Sequence, residues 1–373
     1  MEFIINKTVL NEGLNKVSKA ISSNPVIPIL SGVFLSAQEN ELVLIGSDST
    51  LSIQTVINNK DNENIEVIRN GTIVLPAREF INICRAMPES EIKVSVQDKL
   101  KVKLTSGKSN FTLNGIDSKE FPRLPNVKGK GITLNGMELS NYIEKTVYAV
   151  ANNQARPILT GVNFFFKSNQ LGLVATDAYR LSKVVGIDYE GEEFESVVIP
   201  EKALKEIPKL LKSKVTVIKD NNLIVFKTDN DYVVTRILDG NYPETEKLIP
   251  KNYKTLLKVN RLSFLSAIER SAILSSKDKS SVTFKIDDEN EGIFETIELS
   301  YTDQELGQSK ENILVEGIEG EAITISFNPD FMIDALKKSD SEEIHIEFNG
   351  PMRPFVVKEV GNNRFIQLIT PMR

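Results

Sequence analysis

A chain of 373 residues, 40% hydrophobic and 26% charged with a mean hydropathy of −0.16, has length for two or three domains, and no apolar run approaches the roughly 20 residues of a membrane helix. Its one cysteine, Cys84, and one histidine, His345, exclude an intrachain disulfide, a structural Cys/His zinc site and a Cys-His relay, and speak against a Ser-His-Asp triad. The net charge of −6, from 45 basic and 51 acidic residues, would repel nucleic acid if spread evenly, so its distribution matters.

The opening MEFIINKTVL lacks the basic start and long apolar stretch of a secretory signal, which predicts a cytoplasmic protein. A helix is predicted from Thr8 (TVLNEGLNKVSKAIS), then a hairpin over Phe34–Gly46 (FLSAQENELVLIG). From Ile73, IVLPAREFINICRAMPESEIKVSV reads as a strand, Pro76 at a helix start, an amphipathic helix, a polar break and an alternating strand. Strands continue in KVKLTSGKSNFTLNG from Lys101. A second helix opens at Gly136 (GMELSNYIEKTVYAV), followed by a hairpin over Asn163–Ala175 (NFFFKSNQLGLVA). The strand, proline, helix and strand unit then returns from Val197 as VVIPEKALKEIPKLLKSKVTVI, around Pro200. A third helix opens at Asn260 (NRLSFLSAIERSAIL), and the unit appears again, more faintly, from Ile325 as ISFNPDFMIDALKKSDSEEIHIEF, around Pro329. The three prolines stand 124 and 129 residues apart, and the helix openings 128 and 124. The chain therefore reads as three modules, expected at 1–125, 126–250 and 251–373, each with two helices packed on antiparallel sheet in an α+β fold.

The six predicted helices hold 13 basic against 9 acidic residues, leaving the rest of the chain at −10. Lysines on solvated helix faces explain this, and so do helices that face a polyanion; affinity for DNA through so few charges would be modest and salt-sensitive. Other motifs dissolve on inspection. GKS at Gly107–Ser109 has Val102 where a phosphate-binding loop requires glycine. Asp287, Glu289, Glu291, Gly292 and Glu298 approach a calcium-loop spacing, but glutamate twice replaces Asp or Asn and strands flank the segment, so a hairpin turn is expected. His345 in EIHIEF reads as a strand residue.

NPVIPILSGVFL (Asn24–Leu35), LPAREFINICRAMPES (Leu75–Ser90), VATDAYRLS (Val174–Ser182), LDGNYPETEKLIPKN (Leu238–Asn252), AILSS (Ala272–Ser276) and TPMR (Thr370–Arg373) resemble the bacterial DNA polymerase III beta subunit, the replicative sliding clamp. The similarity covers essentially the whole chain. It implies a ring-forming DNA clamp: two chains head to tail, six modules and twelve channel helices around double-stranded DNA bound without sequence preference. Twelve helices at roughly 9 Å spacing leave an opening of about 24 Å, whereas six would leave about 7 Å, less than the ~12 Å width of one major groove.

By the same resemblance, a partner-peptide pocket falls on Leu159, Thr176, Asp177, Ala178, Tyr179, Arg180, Leu181, Pro243, Lys247, Leu248, Pro354, Leu368, Thr370, Pro371, Met372 and Arg373. There the replicative polymerase, the clamp-loader ATPase and repair and translesion polymerases would dock short peptides of Gln, Leu and Phe, with Arg180 and Arg373 helping to satisfy the glutamine. Ala178 stands where the family often has glycine. DNA contacts carry over to Asn24, Arg78, Asn153, Gln154 and Arg156, with Asn152 in the same loop, and the contact between subunits to Phe111, Ile273 and Leu274. No cofactor, membrane contact or catalytic residue is implied. Two rivals remain: a metal-dependent nucleic-acid enzyme, which needs converging carboxylates, and a clamp paralogue conferring resistance to clamp-binding inhibitors.

Overall fold

In the computed structural model of the chain, residues 1–22, 24–59, 64–273, 281–286, 295–303 and 307–372 are described. The expected helices begin where short polar caps sit. Asn6 ends the strand Glu2–Asn6, and its side-chain oxygen accepts from the N–H groups of Thr8 and Val9, which starts helix α1 at Lys7–Val17. Leu10, Leu14 and Val17 bury one stripe of α1, and α2 (Ala77–Ala86) buries Phe80, Ile81 and Cys84. Helix α3 spans Gly136–Thr146. The helix expected after Pro200 is cut down to a single turn, α4 (Glu201–Leu204), with a 3₁₀ turn over Ile207–Leu210. Pro208 explains the correction: it has no N–H to give the carbonyl of Leu204, and its ring clashes there. Asn260 caps α5 (Arg261–Ala272) through the Ser263 N–H at 3.1 Å, and Asn328 caps α6 (Pro329–Lys338) through the Asp330 N–H at 2.9 Å.

The predicted hairpins form with the tight two-residue turns that suit twisted strands: Glu39 and Asn40 have φ of 46° and 63°, and Ser168 and Asn169 have 52° and 58°. GKS is a hairpin turn between strands Lys101–Ser106 and Ser109–Asn114. His345 lies in strand Glu343–Phe348. Asp287, Glu289, Glu291 and Gly292 lie outside the described residues; Glu298 is in strand Thr296–Asp303.

The chain divides into two compact units, 1–137 with 189–194 and 202–237, and 138–188 with 195–201 and 238–373. The first unit has a five-stranded sheet, ordered 65–69, 2–6, 91–96, 101–106, 109–114, and a nine-stranded sheet, ordered 189–191, 130–135, 214–220, 223–227, 231–236, 51–58, 41–47, 32–38, 71–76. In the second unit a nine-stranded sheet runs 197–200, 161–167, 170–176, 180–187, 362–369, 355–359, 343–348, 255–260, 317–320, and a four-stranded one runs 307–314, 296–303, 282–286, 323–327. In both nine-stranded sheets, neighbouring sequence repeats are sewn together. Strand Asp231–Arg236 pairs with Leu51–Asn58, from Asp231 opposite Thr55, and strand Asn362–Ile369 pairs with Arg180–Ile187, from Ile369 opposite Arg180.

Aromatic packing fills the core of the second unit: Phe348 lies 5.4 Å from Phe284 and 5.2 Å from Phe355, ring centre to ring centre. A buried polar network crosses the same unit. Lys145 of α3 approaches Glu359 at 3.3 Å and Asp340 at 2.7 Å, while Gln367 accepts from Tyr148 and donates to Ser339 at 3.1 Å. Several helix cations are met by carboxylates of their own unit: Lys16 by Asp231 at 2.9 Å, Lys337 by Glu269 at 2.8 Å, Lys202 by Asp48 and Arg270 by Glu311. The helix excess counted from sequence is thus partly neutralised within the chain.

Candidate partner-binding site

The site is built in the second unit, where the turn Asp177–Ala178–Tyr179 joins strands Gln170–Thr176 and Arg180–Ile187. The sequence TDAYR locks this turn by itself. Asp177 Oδ1 accepts from the N–H groups of Tyr179 and Arg180, both at 2.9 Å, and Thr176 Oγ1 donates to the Arg180 carbonyl at 2.6 Å while accepting from the Ala178 N–H at 3.1 Å. Ala178 has a φ of 78°, in the left-handed region that costs a residue with a Cβ about 1–2 kcal/mol. Glycine, without a Cβ, would adopt this conformation freely. Ala178→Gly is expected to stabilise the protein by about 0.5–1 kcal/mol after the added flexibility of the unfolded chain, raising the thermal midpoint by about 1–3 °C.

The carboxyl-terminal segment is held against the turn. Leu368 lies opposite Leu181 in the strand pair, the Thr370 N–H and hydroxyl both donate to the Tyr179 carbonyl at 2.9 and 2.8 Å, and the Met372 N–H donates to the Ser326 carbonyl at 2.7 Å. Leu181 and Leu368 are buried with Val174, and Phe165, Tyr242 and Ile249 pack against them. Around this floor Tyr179 is 64% and Leu248 51% exposed, Pro243 and Lys247 are exposed, and Pro371 and Met372 are half-buried. Large apolar side chains left open above a buried apolar floor make this a candidate slot for another chain's apolar residues. Pro354 is half-buried just before strand Phe355–Glu359, in which Phe355 faces Ile369. Leu159 is buried in the 3₁₀ turn Pro157–Thr160. Arg373 lies outside the described residues.

Arg180 is held by contacts inside the fold. Its side chain is only 10% exposed, with Nε 3.0 Å from Asp177, Nη1 2.5 Å from Asp334, Nη2 donating to the Tyr148 carbonyl at 2.9 Å, and the guanidinium over the Phe331 ring at 4.6 Å. It pins the turn to α6. Sequence reading also passed over Val174, Tyr242 and Lys183, although strand alternation puts Lys183 on the face of Leu181. Burial pushes the Tyr242 hydroxyl pKa up, while hydrogen bonds from Lys167 and Lys183 hold Glu246 well below the usual carboxylate range.

The remaining candidates occupy exposed surface. Asn24 sits in the loop before the 3₁₀ turn Pro28–Ser31 of the first unit, and Asn152, Asn153, Gln154 and Arg156 sit in the corresponding loop before Pro157–Thr160 of the second. Arg78 is exposed on the first turn of α2. Phe111 is 43% exposed on strand Ser109–Asn114, and Ile273 is 77% exposed at the end of α5; Leu274 lies outside the described residues. Among the described residues no group of three His, Cys, Asp or Glu side chains gathers as a metal site, and no helix is long and apolar enough to cross a membrane.

Comparison with known proteins covers the whole chain. Family models described as the DNA polymerase III beta subunit match residues 1–125 (N-terminal domain), 133–244 (central domain) and 246–373 (C-terminal domain). Among curated relatives, the beta sliding clamp of Staphylococcus epidermidis is 38% identical over 380 aligned positions, covering all of this chain and 99% of the relative, and that of Halalkalibacterium halodurans is 38% identical with both covered in full. The crystal structure of the DNA polymerase sliding clamp from Bacillus subtilis superposes with a TM-score of 0.94 at 37% identity, over 100% of this chain and 99% of that one.

Proposed function

This chain belongs to the DNA polymerase III beta subunit family and is a DNA sliding clamp, and from that premise we propose that two copies close head to tail into a ring of six modules around duplex DNA. The modules are the three sequence repeats, near 1–125, 126–250 and 251–373. The observation that carries the closure is a missing pair of strands. Within the chain, the last strand of one repeat (231–236, then 362–369) pairs with an earlier strand of the preceding repeat (51–58, then 180–187). Two counterparts are left over: Ser109–Asn114 from the first repeat and Gly307–Leu314 from the third, and each is an end strand of its sheet among the described residues. Each exposes a large apolar side chain, Phe111 at 43% and Leu314 at 64%, and Ile273 stands exposed at the end of α5, the helix that packs against strand Gly307–Leu314. Open edges invite pairing, and a second copy meeting them repeats the internal join as a heterologous contact that closes.

In this reading the clamp performs no bond chemistry. Asn24, Arg78, Asn153, Gln154 and Arg156 touch the DNA backbone, and partner proteins dock peptides over Leu181, Leu368 and Leu248. An ATPase of another chain opens the ring in the cytoplasm. Light scattering on the eluting protein should give twice 41.7 kDa, and Phe111→Asp, which places a charge in an apolar contact, should give the single-chain mass with the thermal midpoint of each unit little changed. A wild-type monomer at all concentrations would end the ring reading. A magnesium-dependent turnover assay on DNA separates it from the enzyme alternative.

A further inference from the structure

We propose that the groove continuing from the peptide slot receives an acidic stretch of the partner's chain next to its docking motif, which deepens the slot reading above and rests on it. Strand register makes the two surfaces one. Thr176 faces Leu181 and Leu181 faces Leu368; two residues along, Val174 faces Lys183 and Lys183 faces Ile366. The period of two keeps these rows on the same face of the sheet, so Val174 and Ile366 continue the face of Leu181 and Leu368, with Lys183 set between them. There the face opens into a groove of about 650 Å³, floored by Phe165, Val174 and Tyr242 and walled by the segment that also carries Pro243 of the slot. An extended peptide leaving the slot in that direction stays on apolar surface.

The charges along the groove say what that peptide carries. Lys167, Lys183, Lys247 and Lys251 line it against Glu244 and Glu246, an excess of two positive charges on a chain whose net charge is −6. Glu244 is taken by Lys247, and Glu246 is shared by Lys183 and by Lys167 at 2.6 Å. The Lys183 side chain is 8% exposed and fixed, with its ammonium 5.5 Å from the centre of the Phe165 ring, whereas its partner Glu246 is 60% exposed at the mouth. An ammonium has three donors, so a buried lysine with an open-sided carboxylate partner can take a second carboxylate beside the first, where low local dielectric strengthens the contact. A phosphate backbone would feel the same charge but would leave the apolar floor uncovered, so an acidic peptide fits better.

Calorimetry of the full-length protein with five peptides tests this: a Gln-Leu-Phe motif alone, the motif with three aspartates on one flank or on the other, and the motif with three asparagines in each of the same places. At low salt one aspartate-flanked peptide should bind about five- to tenfold tighter than its asparagine counterpart, with the gain shrinking toward none by about 0.5 M salt. Lys167→Gln with Lys251→Gln, both exposed positions, should remove most of the gain while leaving the motif alone unaffected. Equal affinities for the aspartate and asparagine peptides on both flanks would overturn the acidic-flank assignment and leave the slot standing. A full gain retained in the double variant would overturn it too. Failure of the bare motif to bind would bring down the slot reading and this one together.

Discussion

Lys145→Ala is expected to lower the thermal midpoint of the full chain by roughly 6–12 °C, one of the two largest effects of a small change in this protein. Lys145 is 8% exposed and Glu359 5% exposed at their side chains, and their charged atoms stand 3.3 Å apart, with the ammonium 4.6 Å from the centre of the Phe365 ring. Asp340, at 2.7 Å but 75% exposed, contributes little through solvent. Without Lys145, the Asp340 N–H and the Asn362 amide, each at 2.6 Å, are left among the described residues to balance a buried negative charge on Glu359. Breaking a buried pair on one side costs about 3–5 kcal/mol, and at about 2–4 °C per kcal/mol for a unit of this size even the lower figure gives the shift stated. The double variant Lys145→Met with Glu359→Gln removes both charges and should recover more than half of the loss. Scanning calorimetry of both variants checks it; a single variant melting within about 2 °C of wild type would show that the pair does not hold α3 to strand Phe355–Glu359.

Deleting residues 371–373 is expected to weaken a Gln-Leu-Phe peptide by at least tenfold from a micromolar starting affinity, a loss of about 1.4 kcal/mol or more. Pro371 and Met372 form one half-buried side of the slot, and the Met372 N–H to Ser326 bond fixes their course. Thr370 stays, so both of its bonds to the Tyr179 carbonyl survive. The subunit mass and melting behaviour should therefore hardly change. Equal affinities of truncated and full-length protein, measured by calorimetry with one peptide, would place partner docking elsewhere.

Much of this was legible in the sequence because the local signals were strong. The spacing of Pro76, Pro200 and Pro329 exposed the repeat, polar pairs at Glu39–Asn40 and Ser168–Asn169 marked hairpins, and the dispersed motifs TDAYR and TPMR do come together, through Thr370 and Tyr179. What escaped depended on long-range structure. The pairing of Asp231–Arg236 with Leu51–Asn58 joins residues some 180 positions apart, and no periodicity announces which edges meet. Arg180 was expected at the ligand because its charge was visible in sequence, whereas its bond to Asp334, 154 positions away, could not be read there. The short α4 was a local miss: Pro208 was in plain view, and the lysines around it masked the break. Lys183 went unnoticed because a lysine inside an apolar strand acquires meaning only when Glu246 is folded over it.

The central claim, a closed ring held on DNA by topology, is tested most directly by retention. Labelled protein loaded onto nicked circular DNA with a bacterial clamp loader and ATP should remain bound through gel filtration at high salt, because few phosphate contacts are needed once the ring is closed. Cutting the circle once with a restriction enzyme should release it within the time of the column. Equal retention on the circular and the linearised DNA, or loss from both as salt rises, would contradict the account.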